Sequence, residues 1–338
     1  MGRSKIEYCD NTWNPITGCM YAAECPQCRE KRIARNFAGD IHLNKLQNDQ
    51  FYKEGSVYVL DKEFQGERGI LTYPFSFEPT LHLYRLRKMR YKTGCKILVG
   101  SMGEMFGEWI KDDWLEQIFE FCMSLPQHIY MFRTERPERY DNLLAAGRLP
   151  EGKNIWYGFR AGKGTRLPVT CRYRNTFMVI DDIQNPIEAA PVAEDIKWLI
   201  LGDEVRRKKN PNADSRWIRQ LVNIYTEKGV PVFMMDSMLP IVGETTMRRE
   251  YPKQMEQYLH LHKYDGKRRK IMIGSCAICK KENRKSDMYS ITAGGQVRGV
   301  YKTVGYVCRD CAAQIENRYG IEFSKIDEVE GRRGKHSE

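Results

Sequence analysis

The stretch KILVGSMGEMFGEWIKDDWLEQIFEFCMSLPQHIYMFR, residues 96–133, contains the pattern that decides the fold. It begins with a short continuous apolar run at 96–100, continues through apolar residues at helical spacing at 112–125, and ends in a second apolar run at 129–133. Short apolar runs of this kind are typical of strands buried on both faces, and an amphipathic helix between two of them is typical of a parallel pair. The stretch therefore predicts a strand–helix–strand unit.

The same alternation extends along most of the chain. Further strands are predicted at a first run around 12–17 and at FSFEP (around 76–79), IWYGF (155–159), FMVID (177–181), WLILG (198–202) and VPVFM (230–234). Helices are predicted at 137–147, 185–195 and 214–229, and residues 40–75 are predicted to be an irregular polar excursion. Buried strands separated by amphipathic helices predict an α/β fold, in the form of a partial or complete parallel β/α barrel.

A change of composition near residue 252 marks the end of the predicted barrel. The residues that follow are rich in basic side chains, and after them comes a compact segment with four cysteines of its own. The predicted organisation is a barrel at 1–252, a basic linker at 253–270, a zinc-ribbon-like module with four cysteine ligands at 271–325 and a polar tail at 326–338.

The charge of the chain points to a polyanionic partner. Of its 338 residues, 55 are Lys or Arg and 44 are Asp or Glu, so the formal net charge is +11. Basic residues concentrate at 85–92, 205–210 and 263–270. Nucleic acid is the simplest partner for such a surface, and a solvated basic surface without a partner is the alternative, because net charge bears on association and not on fold.

Hydropathy and cysteine usage indicate the compartment. No segment approaches the roughly 18 to 20 apolar residues that span a bilayer, and the N-terminus lacks the apolar core of a secretory signal, so we expect an unexported, cytoplasmic protein without a membrane partner. The chain has 11 cysteines, and two tight clusters hold seven of them. Such clusters are typical of metal sites in a reducing compartment and not of a disulfide framework.

The C-terminal cluster has the spacing of a zinc site. CAIC and CRDC place Cys276, Cys279, Cys308 and Cys311 in two CxxC pairs separated by 28 residues. Each pair can bind one metal through a tight turn, and tetrahedral coordination by four cysteines is what zinc takes in a closed structural site. We therefore predict structural zinc here.

The N-terminal cluster, in the loop GCMYAAECPQC at 18–28, has three cysteines: Cys19, Cys25 and Cys28. Three thiolates can hold three irons of a [4Fe–4S] cluster and leave the fourth iron open to a ligand. S-adenosylmethionine (SAM) suits that position, since its amino and carboxylate groups chelate the iron and an electron from the cluster cleaves its sulfonium to a 5′-deoxyadenosyl radical. The alternatives are a second zinc site that includes Cys9, and inert thiols.

The sequence resembles the phage-associated Gp37/Gp68-like proteins. The residues that carry the resemblance are KIEYCDNTWNPITGC with CPQC, GSMGEMF (100–106), SLPQHIYMFRTERPERY (124–140), NIWYGF (154–159) and GVPVFM (229–234). That family looks like a divergent branch of the radical SAM superfamily, which implies the cluster, SAM and a flavodoxin- or ferredoxin-type electron donor but fixes no substrate. In the family the position of Cys9 is usually not cysteine, which weighs against the zinc alternative.

The chain departs from the family's pattern at strand ends. Relatives tend to carry a lysine at Glu135, an acidic pair at Arg160 and Ala161, and a lysine–glutamine pair at Asp236 and Ser237. Substrate would lie at these strand ends. The departures therefore favour a substrate different from the family's usual one.

Further candidates for cofactor binding follow strands. Glu78 occupies the place where radical SAM enzymes commonly have a glycine–glycine–glutamate stretch that receives the methionine amino group, although Ser76 and Phe77 replace the glycines. Ser101 and Glu104 are candidates for the ribose hydroxyls or the amino-acid end, and Arg133 for the carboxylate. Helix capping is the structural alternative for these polar residues.

Candidate catalytic residues are three aspartates predicted to end strands: Asp181, Asp203 and Asp236. A structural role at a helix start is again the alternative. Other residues of chemically interesting types are predicted to pack in the core or to cap helices: Cys95, Cys122, Cys171, His82 and His128. Trp13 is either a core anchor or a stacking partner for adenine.

The function that these observations favour is a radical SAM enzyme. Its substrate is predicted to be a base in nucleic acid or a free modified, deazapurine-like nucleobase, which it modifies or cleaves. One alternative is a zinc-containing nucleic-acid-binding protein without enzymatic activity. Another is a radical SAM enzyme that acts on an unrelated small metabolite.

Overall fold

The computed structural model describes residues 6–23, 25, 28–87, 94–161, 167–181, 195–202, 215–261, 273–280, 282–284, 288–294 and 301–319. The chain divides into two compact units, 1–264 and 265–338. Several predictions lie outside the described residues: the helix at 185–194, the basic stretches at 88–92, 205–210 and 263–270, Asp203 and the tail at 326–338.

The strands of the described residues are short. In chain order they are β1 (Asn11–Trp13), β2 (Ile16–Thr17), β3 (Tyr52–Glu54), β4 (Val57–Leu60), β5 (Phe64–Gly66), β6 (Gly69–Leu71), β7 (Thr80–His82), β8 (Lys96–Val99), β9 (Ile129–Thr134), β10 (Ile155–Arg160), β11 (Asn175–Ile180), β12 (Leu199–Leu201), β13 (Val232–Met234), β14 (Ile273–Ser275), β15 (Glu282–Arg284), β16 (Met288–Gly294) and β17 (Tyr301–Cys308).

The described residues form nine α-helices, four of which (α3 to α6 in the numbering that follows) lie between strands β8 to β13 of the large sheet. They are α1 (Arg29–Asn36), α2 (Ile41–Leu46), α3 (Asp112–Met123), α4 (Glu138–Ala145), α5 (Thr170–Tyr173), α6 (Ser215–Glu227), α7 (Leu239–Val242), α8 (Lys253–Leu261) and α9 (Arg309–Tyr319), and 3₁₀ turns lie at Met20–Ala23, Leu83–Arg87, Asp236–Met238 and Glu244–Thr246. No described helix is long and apolar enough to cross a membrane.

A curled, half-barrel sheet dominates the first unit. Within the described residues it has seven strands in the order β1-β8-β9-β10-β11-β12-β13, and every neighbouring pair is parallel. The free edge of β13 is covered by residues 248–250, which bond to its backbone in the antiparallel sense. The predicted parallel β/α arrangement is confirmed, in its partial form.

Apolar side chains on alternate strand residues fill both faces of this sheet. On β8, Ile97 and Val99 join the cluster under the helices, whereas Leu98 joins the cluster inside the half-barrel. Helix α3 buries its apolar face on the outer cluster through Leu115 and Ile118. A fully buried side chain of this size contributes about 1.5–3 kcal/mol relative to an exposed one, so the helices hold the strands in place.

The N-terminal segment fills the inside of the half-barrel. Tyr8 is fully buried there, with its ring 6.1 Å from that of Trp198 and 6.5 Å from those of Phe177 and Phe233. Cys9 belongs to the same cluster, and its thiol donates to the carbonyl oxygen of Ile6 at 3.6 Å. The interior of the half-barrel is therefore packed core.

Two sequence predictions near the N-terminus are wrong. The expected strand at 12–17 is two strands in different sheets, because Pro15, between β1 and β2, cannot donate to a ladder. The FSFEP run is a turn, in which Ser76 has a φ of +56°, and the strand β7 begins only at Thr80. The apolar residues of this run do pack in the core, and the ring of Phe75 is fully buried. They do so from a turn, and an apolar pattern alone does not distinguish a buried turn from a strand.

The predicted irregular excursion at 40–75 is in fact ordered. Helix α2 is followed by strands that pair in a four-stranded sheet, β2-β7-β4-β3, and in a hairpin of β5 and β6. Aromatic rings form the core of this region: the Tyr58 and Phe75 rings stack at 3.9 Å, and Phe51 and Phe64 pack against Phe75. This region has no long apolar runs, which were the basis of the strand predictions, and a few large aromatic rings form its core instead.

Within its described residues, the second unit has two hairpins and one helix. β14 pairs with β15 and β16 pairs with β17, both antiparallel, and α9 follows β17 without a break. Upstream of this unit, the segment predicted as a linker begins with α8, whose Met255 is fully buried in the interior cluster of the half-barrel.

Candidate functional site

A cavity of about 350 Å³ lies at the carboxyl ends of β8, β9 and β10. Its lining includes all three N-terminal cysteines and three of the predicted cofactor-binding residues, Ser101, Glu104 and Arg133. The complete lining is Cys19, Tyr21, Cys25, Cys28, Glu30, Phe77, Gly100, Ser101, Gly103, Glu104, Arg133, Thr134, Glu135, Arg136 and Arg160. The structure thus brings together residues that are up to 141 positions apart in sequence, from Cys19 to Arg160.

Backbone contacts fix the start of the cysteine loop. Gly18 has a φ of +86°, and its N–H donates to the Met102 carbonyl at 2.9 Å while its own carbonyl accepts from Glu104 N–H at 3.1 Å. A Cβ on Gly18 would lie 2.4 Å from the Glu78 carbonyl oxygen, and one on Gly103 would lie 2.3 Å from the Gly18 oxygen. Only glycines permit this approach. Cys19 is consequently held by main chain at the cavity wall.

Asn14 ties the loop after β8 to the same wall. Its side-chain oxygen accepts from the Met102 N–H at 3.0 Å and from the Ser101 hydroxyl at 3.2 Å. Ser101 therefore lies in the cavity as predicted, with its proton directed to Asn14 and its oxygen lone pairs available as acceptors.

Cys28 caps the first helix. Its sulfur accepts from the Lys31 N–H at 3.4 Å, so α1 starts at this cysteine, and its thiol donates to the Glu30 carboxylate at 3.6 Å. Cys25 is exposed, and its carbonyl accepts from the Cys28 N–H at 3.1 Å. The loop thus presents one exposed and two half-buried thiols to the cavity.

Burial keeps two of these thiols protonated in the metal-free chain. It raises the pKa of Cys19 to about 11 and the pKa of Cys28 to about 11, and the negative charges of Glu104 and Glu30 respectively act in the same direction. Since thiolates are the metal-binding form, loading the site requires a cation strong enough to displace these protons.

The spacing of the three sulfur atoms differs from that of a single-ion site. Sulfurs that share one tetrahedral zinc at about 2.3 Å lie about 3.8 Å apart, whereas those that bind different irons of a cluster lie farther apart. Among the described residues, Cys19, Cys25 and Cys28 do not form a group with ligand atoms within 4.8 Å of one another. Cys9 precedes the opposite, amino end of β1 and belongs to the interior core, so the alternative zinc set with Cys9 is not assembled.

Glu104 joins the ends of two strands. Its Oε1 accepts from Phe106 N–H at 2.9 Å and from the Thr134 hydroxyl at 2.7 Å, and its Oε2 accepts from Glu135 N–H at 2.9 Å. Burial raises the pKa of Glu104, although these hydrogen bonds oppose the shift. The carboxylate therefore lies at the cavity as predicted, and it also braces the loops after β8 and β9.

Arg133 is held from inside the half-barrel. It is two residues beyond Met131 on β9, so it continues the face that the interior cluster occupies. Its guanidinium donates to the Tyr8 hydroxyl at 2.9 Å. The buried tyrosine thus orients a positive charge at the cavity floor.

A charged network crosses the ends of β9, β10 and β11. Arg160 forms an ion pair with Glu135, and its Nε lies 2.9 Å from an Asp181 carboxylate oxygen. Asp181 was predicted as a catalytic candidate, and Glu135 and Arg160 were noted as departures from the family's pattern. The structure joins all three in one ion-pair network; Glu135 and Arg160 line the cavity, and Asp181 is not among the described residues that line it.

Sequence reasoning missed an aromatic contact that anchors the cysteine loop. The Arg136 guanidinium lies 4.2 Å from the centroid of the Tyr21 ring, and that ring packs edge-on against Trp109 at 5.1 Å. Tyr21 lies in the cysteine loop, and its partners follow β8 and β9. The position of Tyr21 between Cys19 and Cys25 was the feature of the sequence that could have indicated this contact.

Two predicted site residues lie elsewhere. Glu78 forms an ion pair with Lys45 and precedes β7, so its predicted place after a strand is wrong, and it is not among the described residues that line the cavity. Asp236 forms an ion pair with Arg249, and its N–H donates to Glu7 at 2.9 Å. Asp203 lies outside the described residues.

The predicted core residues are indeed buried. Cys95, Cys122 and Cys171 are inside the unit, and His82 accepts or donates with the Thr17 hydroxyl at 2.9 Å. The remaining predicted core residues, His128 and Trp13, are also buried, and the Trp13 ring packs on Phe121 at 5.1 Å. Trp13 is thus a core anchor.

The second unit contains a four-cysteine group. The ligand atoms of Cys276, Cys279, Cys308 and Cys311 all lie within 4.8 Å of one another, and the Cys279 and Cys308 sulfurs are 3.7 Å apart. The latter distance matches the roughly 3.8 Å expected for two ligands of one tetrahedral zinc. The first pair lies in the turn after β14, and the second spans the end of β17 and the start of α9. This group can hold a metal ion.

The electrostatics of this group favour a bound cation. Burial acts to raise the pKa of Cys276, but the N–H groups of Cys308, Cys279 and Ile278 outweigh it and lower that pKa to about 6. Contact with Cys308, and then burial, raise the pKa of Cys311 to about 12. The four thiols therefore cannot all ionise without a positive charge among them, which a divalent metal supplies.

Comparison with known proteins places the chain in one family. Residues 3–266 match the family described as protein of unknown function (DUF5131), and since this is more than half of the chain, the protein belongs to that family. A search of the curated proteins and a search of the solved structures each found no match. The matched region includes the half-barrel and the cavity, and the four-cysteine group lies beyond it.

Proposed function

We propose that this protein is a radical SAM enzyme with a [4Fe–4S] cluster held by Cys19, Cys25 and Cys28. The observation that carries the proposal is that all three cysteines line one cavity at the carboxyl ends of parallel strands. Loops after strands form the active face of β/α barrels.

Under this proposal the residues opposite the cysteines bind SAM. The bound cluster and SAM supply a 5′-deoxyadenosyl radical when an electron reaches the cluster. Arg133, oriented by Tyr8, offers a guanidinium to a carboxylate. Ser101 has acceptor lone pairs, and Glu104 Oε2 accepts one hydrogen bond among the described residues, so each can accept from a hydroxyl or amino group.

The proposed substrate is a base, either in nucleic acid or as a free modified, deazapurine-like nucleobase. The network of Glu135, Arg160 and Asp181 supports this choice, because carboxylates and a guanidinium together can pair with the donor and acceptor edge of a heterocycle. The net charge of +11 supports a polyanionic form of that substrate. The four-cysteine group is proposed to bind structural zinc.

The test begins with metal content. The wild-type chain, purified and reconstituted without oxygen, should contain about four irons and one zinc. Given SAM and dithionite, it should form 5′-deoxyadenosine. Cys25→Ala should lose iron and 5′-deoxyadenosine formation but keep zinc. The matched control Cys9→Ala, which alters a cysteine of the interior core, should keep the iron, the zinc and the activity.

The main competitor is a zinc-containing nucleic-acid-binding protein without enzymatic activity, which the four-cysteine group favours. It requires zinc without iron, so a wild-type chain that takes up no iron and forms no 5′-deoxyadenosine would replace our proposal by this one. A radical SAM enzyme acting on an unrelated small metabolite would keep the iron and bind neither DNA nor RNA, as would one acting on a free nucleobase, and faster 5′-deoxyadenosine formation with an added nucleobase would separate these two.

A further inference from the structure

Helix α1 has the position and the charge of a docking surface. It begins at Cys28, which caps it, and its eight residues span about 12 Å. Every residue of α1 therefore lies within about 12 Å of this cysteine along the helix axis. Cys25, just before it, is exposed at the rim of the cavity. A cluster held at this rim is close to the surface on the side of α1.

The exposed side of α1 is basic. Lys31, Arg32 and Arg35 are exposed, and their spacings of three and four residues place Arg35 beside both others. The acidic residue of the helix, Glu30, is instead turned toward Cys28 and lines the cavity. Ala34 is buried underneath. The outer face of the helix is thus positive.

Exposed apolar side chains precede and follow this basic segment in the sequence. Met20, next to Cys19, is 52% exposed, and Phe37, which directly follows α1, is 62% exposed. Single exposed apolar residues are ordinary on protein surfaces, but here they flank charges of one sign beside the cysteine loop. Small, transient electron-transfer interfaces combine opposite charges with limited apolar contact.

We infer that the outer face of α1, with the exposed Phe37 that directly follows it, docks a small acidic electron-carrier protein that reduces the cluster. The inference rests on the proposed function. In the step concerned, one electron leaves the reduced flavin or iron–sulfur group of the carrier, which is oxidised by one electron, and enters the cluster, which is reduced by one.

The position of α1 favours a carrier over nucleic acid. The helix continues from the cysteine side of the cavity, whereas Glu135, Arg160 and Asp181 mark the strand ends on which the proposed substrate depends. A partner that delivers electrons needs to approach the cluster, and one that presents a base needs to approach those strand ends. Substrate and carrier can then bind at the same time.

Charge reversal on α1 tests this surface. Arg32→Glu/Arg35→Glu and the matched control Arg219→Glu/Lys228→Glu, on α6 and just after it, change the net charge equally at exposed positions. Both should retain the iron content and thermal stability of the wild type. Stopped-flow absorbance without oxygen then follows cluster reduction by a reduced acidic ferredoxin and, separately, by dithionite.

With ferredoxin at low salt, we expect the α1 variant to be reduced at least tenfold more slowly than the wild type and the control to match the wild type. With dithionite, which needs no docking surface, all three should be reduced at similar rates. Added salt should slow the wild type with ferredoxin much more than the α1 variant.

Each failure has a different meaning. A wild-type chain that dithionite cannot reduce would overturn the proposed function itself. A reducible cluster whose response to ferredoxin is the same in the α1 variant, or equally slow in the control, would overturn the docking surface alone. Loss of DNA or RNA binding in the α1 variant, with ferredoxin reduction intact, would assign α1 to nucleic acid instead.

Discussion

Replacing Gly18 with alanine should displace the cysteine loop without unfolding the half-barrel. Two separate costs arise at this residue. Its φ of +86° lies in the left-handed region, where an L side chain costs about 1–2 kcal/mol. Its Cβ would also lie 2.4 Å from the Glu78 carbonyl oxygen, so reaching an ordinary contact of about 3.4 Å requires about 1 Å of backbone movement. That movement is transmitted directly to Cys19.

Substitutions at two other glycines allow the conformational cost and the steric cost to be measured separately. Gly147 has a φ of +69° and open space around its Cβ position, so Gly147→Ala carries the conformational cost alone. Gly103 is not in the left-handed region, but its Cβ would lie 2.3 Å from the Gly18 oxygen, so Gly103→Ala carries the collision alone. At about 2–4 °C per kcal/mol, Gly147→Ala should lower Tm by about 2–8 °C.

The assay is iron content and 5′-deoxyadenosine formation after reconstitution, with Tm measured on the same samples. Gly147→Ala should keep the iron of the wild type, whereas Gly18→Ala and Gly103→Ala should lose more than half of it. If Gly103→Ala holds full iron while Gly18→Ala does not, backbone conformation alone positions Cys19. If both hold full iron, the close approach of the two loops does not position the cluster at all.

The remaining predictions concern the metal centre of the second unit, the buried carboxyl and the partner. Cys308→Ser should release zinc and make residues 273–319 protease-sensitive while iron persists, because the metal supplies order that this small unit lacks; simultaneous loss of both metals would contradict separate sites. Because burial raises the pKa of Glu104 above the unfolded value near 4.5, its contribution to stability is fully present below about pH 4.5 and is lost as pH rises through the folded pKa. The Tm of the wild type relative to Glu104→Gln should therefore decrease as pH rises from about 4.5, and a difference that stays constant with pH would contradict the raised pKa. DNA or RNA binding should weaken steeply with added salt, and salt-insensitive or absent binding would leave a small-molecule substrate.

The half-barrel was predictable because its strands are nearly continuous apolar runs. Such runs at 96–100, 129–133 and 155–159 have few other ways to bury both faces, and the helices between them have one apolar side. The small sheet at 52–82 escaped prediction for the opposite reason. Its strands have two to four residues, and the rings of Tyr58 and Phe75 stabilise them across distances in sequence that no local pattern reveals.

Several residues that line the cavity were predictable from the sequence, but the contacts that position them were not. Spacing alone singled out the three cysteines, and position after a strand singled out Ser101, Glu104 and Arg133. The prediction that Glu78 follows a strand was wrong because the apolar run before it is a buried turn that contains Phe75. The hydrogen bond from Arg133 to Tyr8 joins residues that are 125 positions apart in the sequence. It depends on the path of the N-terminal segment through the half-barrel, which no local sequence pattern reveals.

The charges that line the cavity bear on how a cofactor is held. Among the described lining residues there are as many arginines as glutamates: Arg133, Arg136 and Arg160 against Glu30, Glu104 and Glu135. The glutamates already have partners, since Glu30 accepts from Cys28, Glu104 accepts three hydrogen bonds and Glu135 pairs with Arg160. Under the proposed function, Cys28 loses its proton when it binds the cluster, so Glu30 no longer accepts from it, and the Glu30 carboxylate can balance the sulfonium of SAM together with the thiolates of the loaded cluster. Because burial raises the pKa of Cys19 and the pKa of Cys28, both the thiolates and the release of Glu30 depend on metal loading, and under the proposed function we expect SAM to bind the loaded protein more tightly than the metal-free chain.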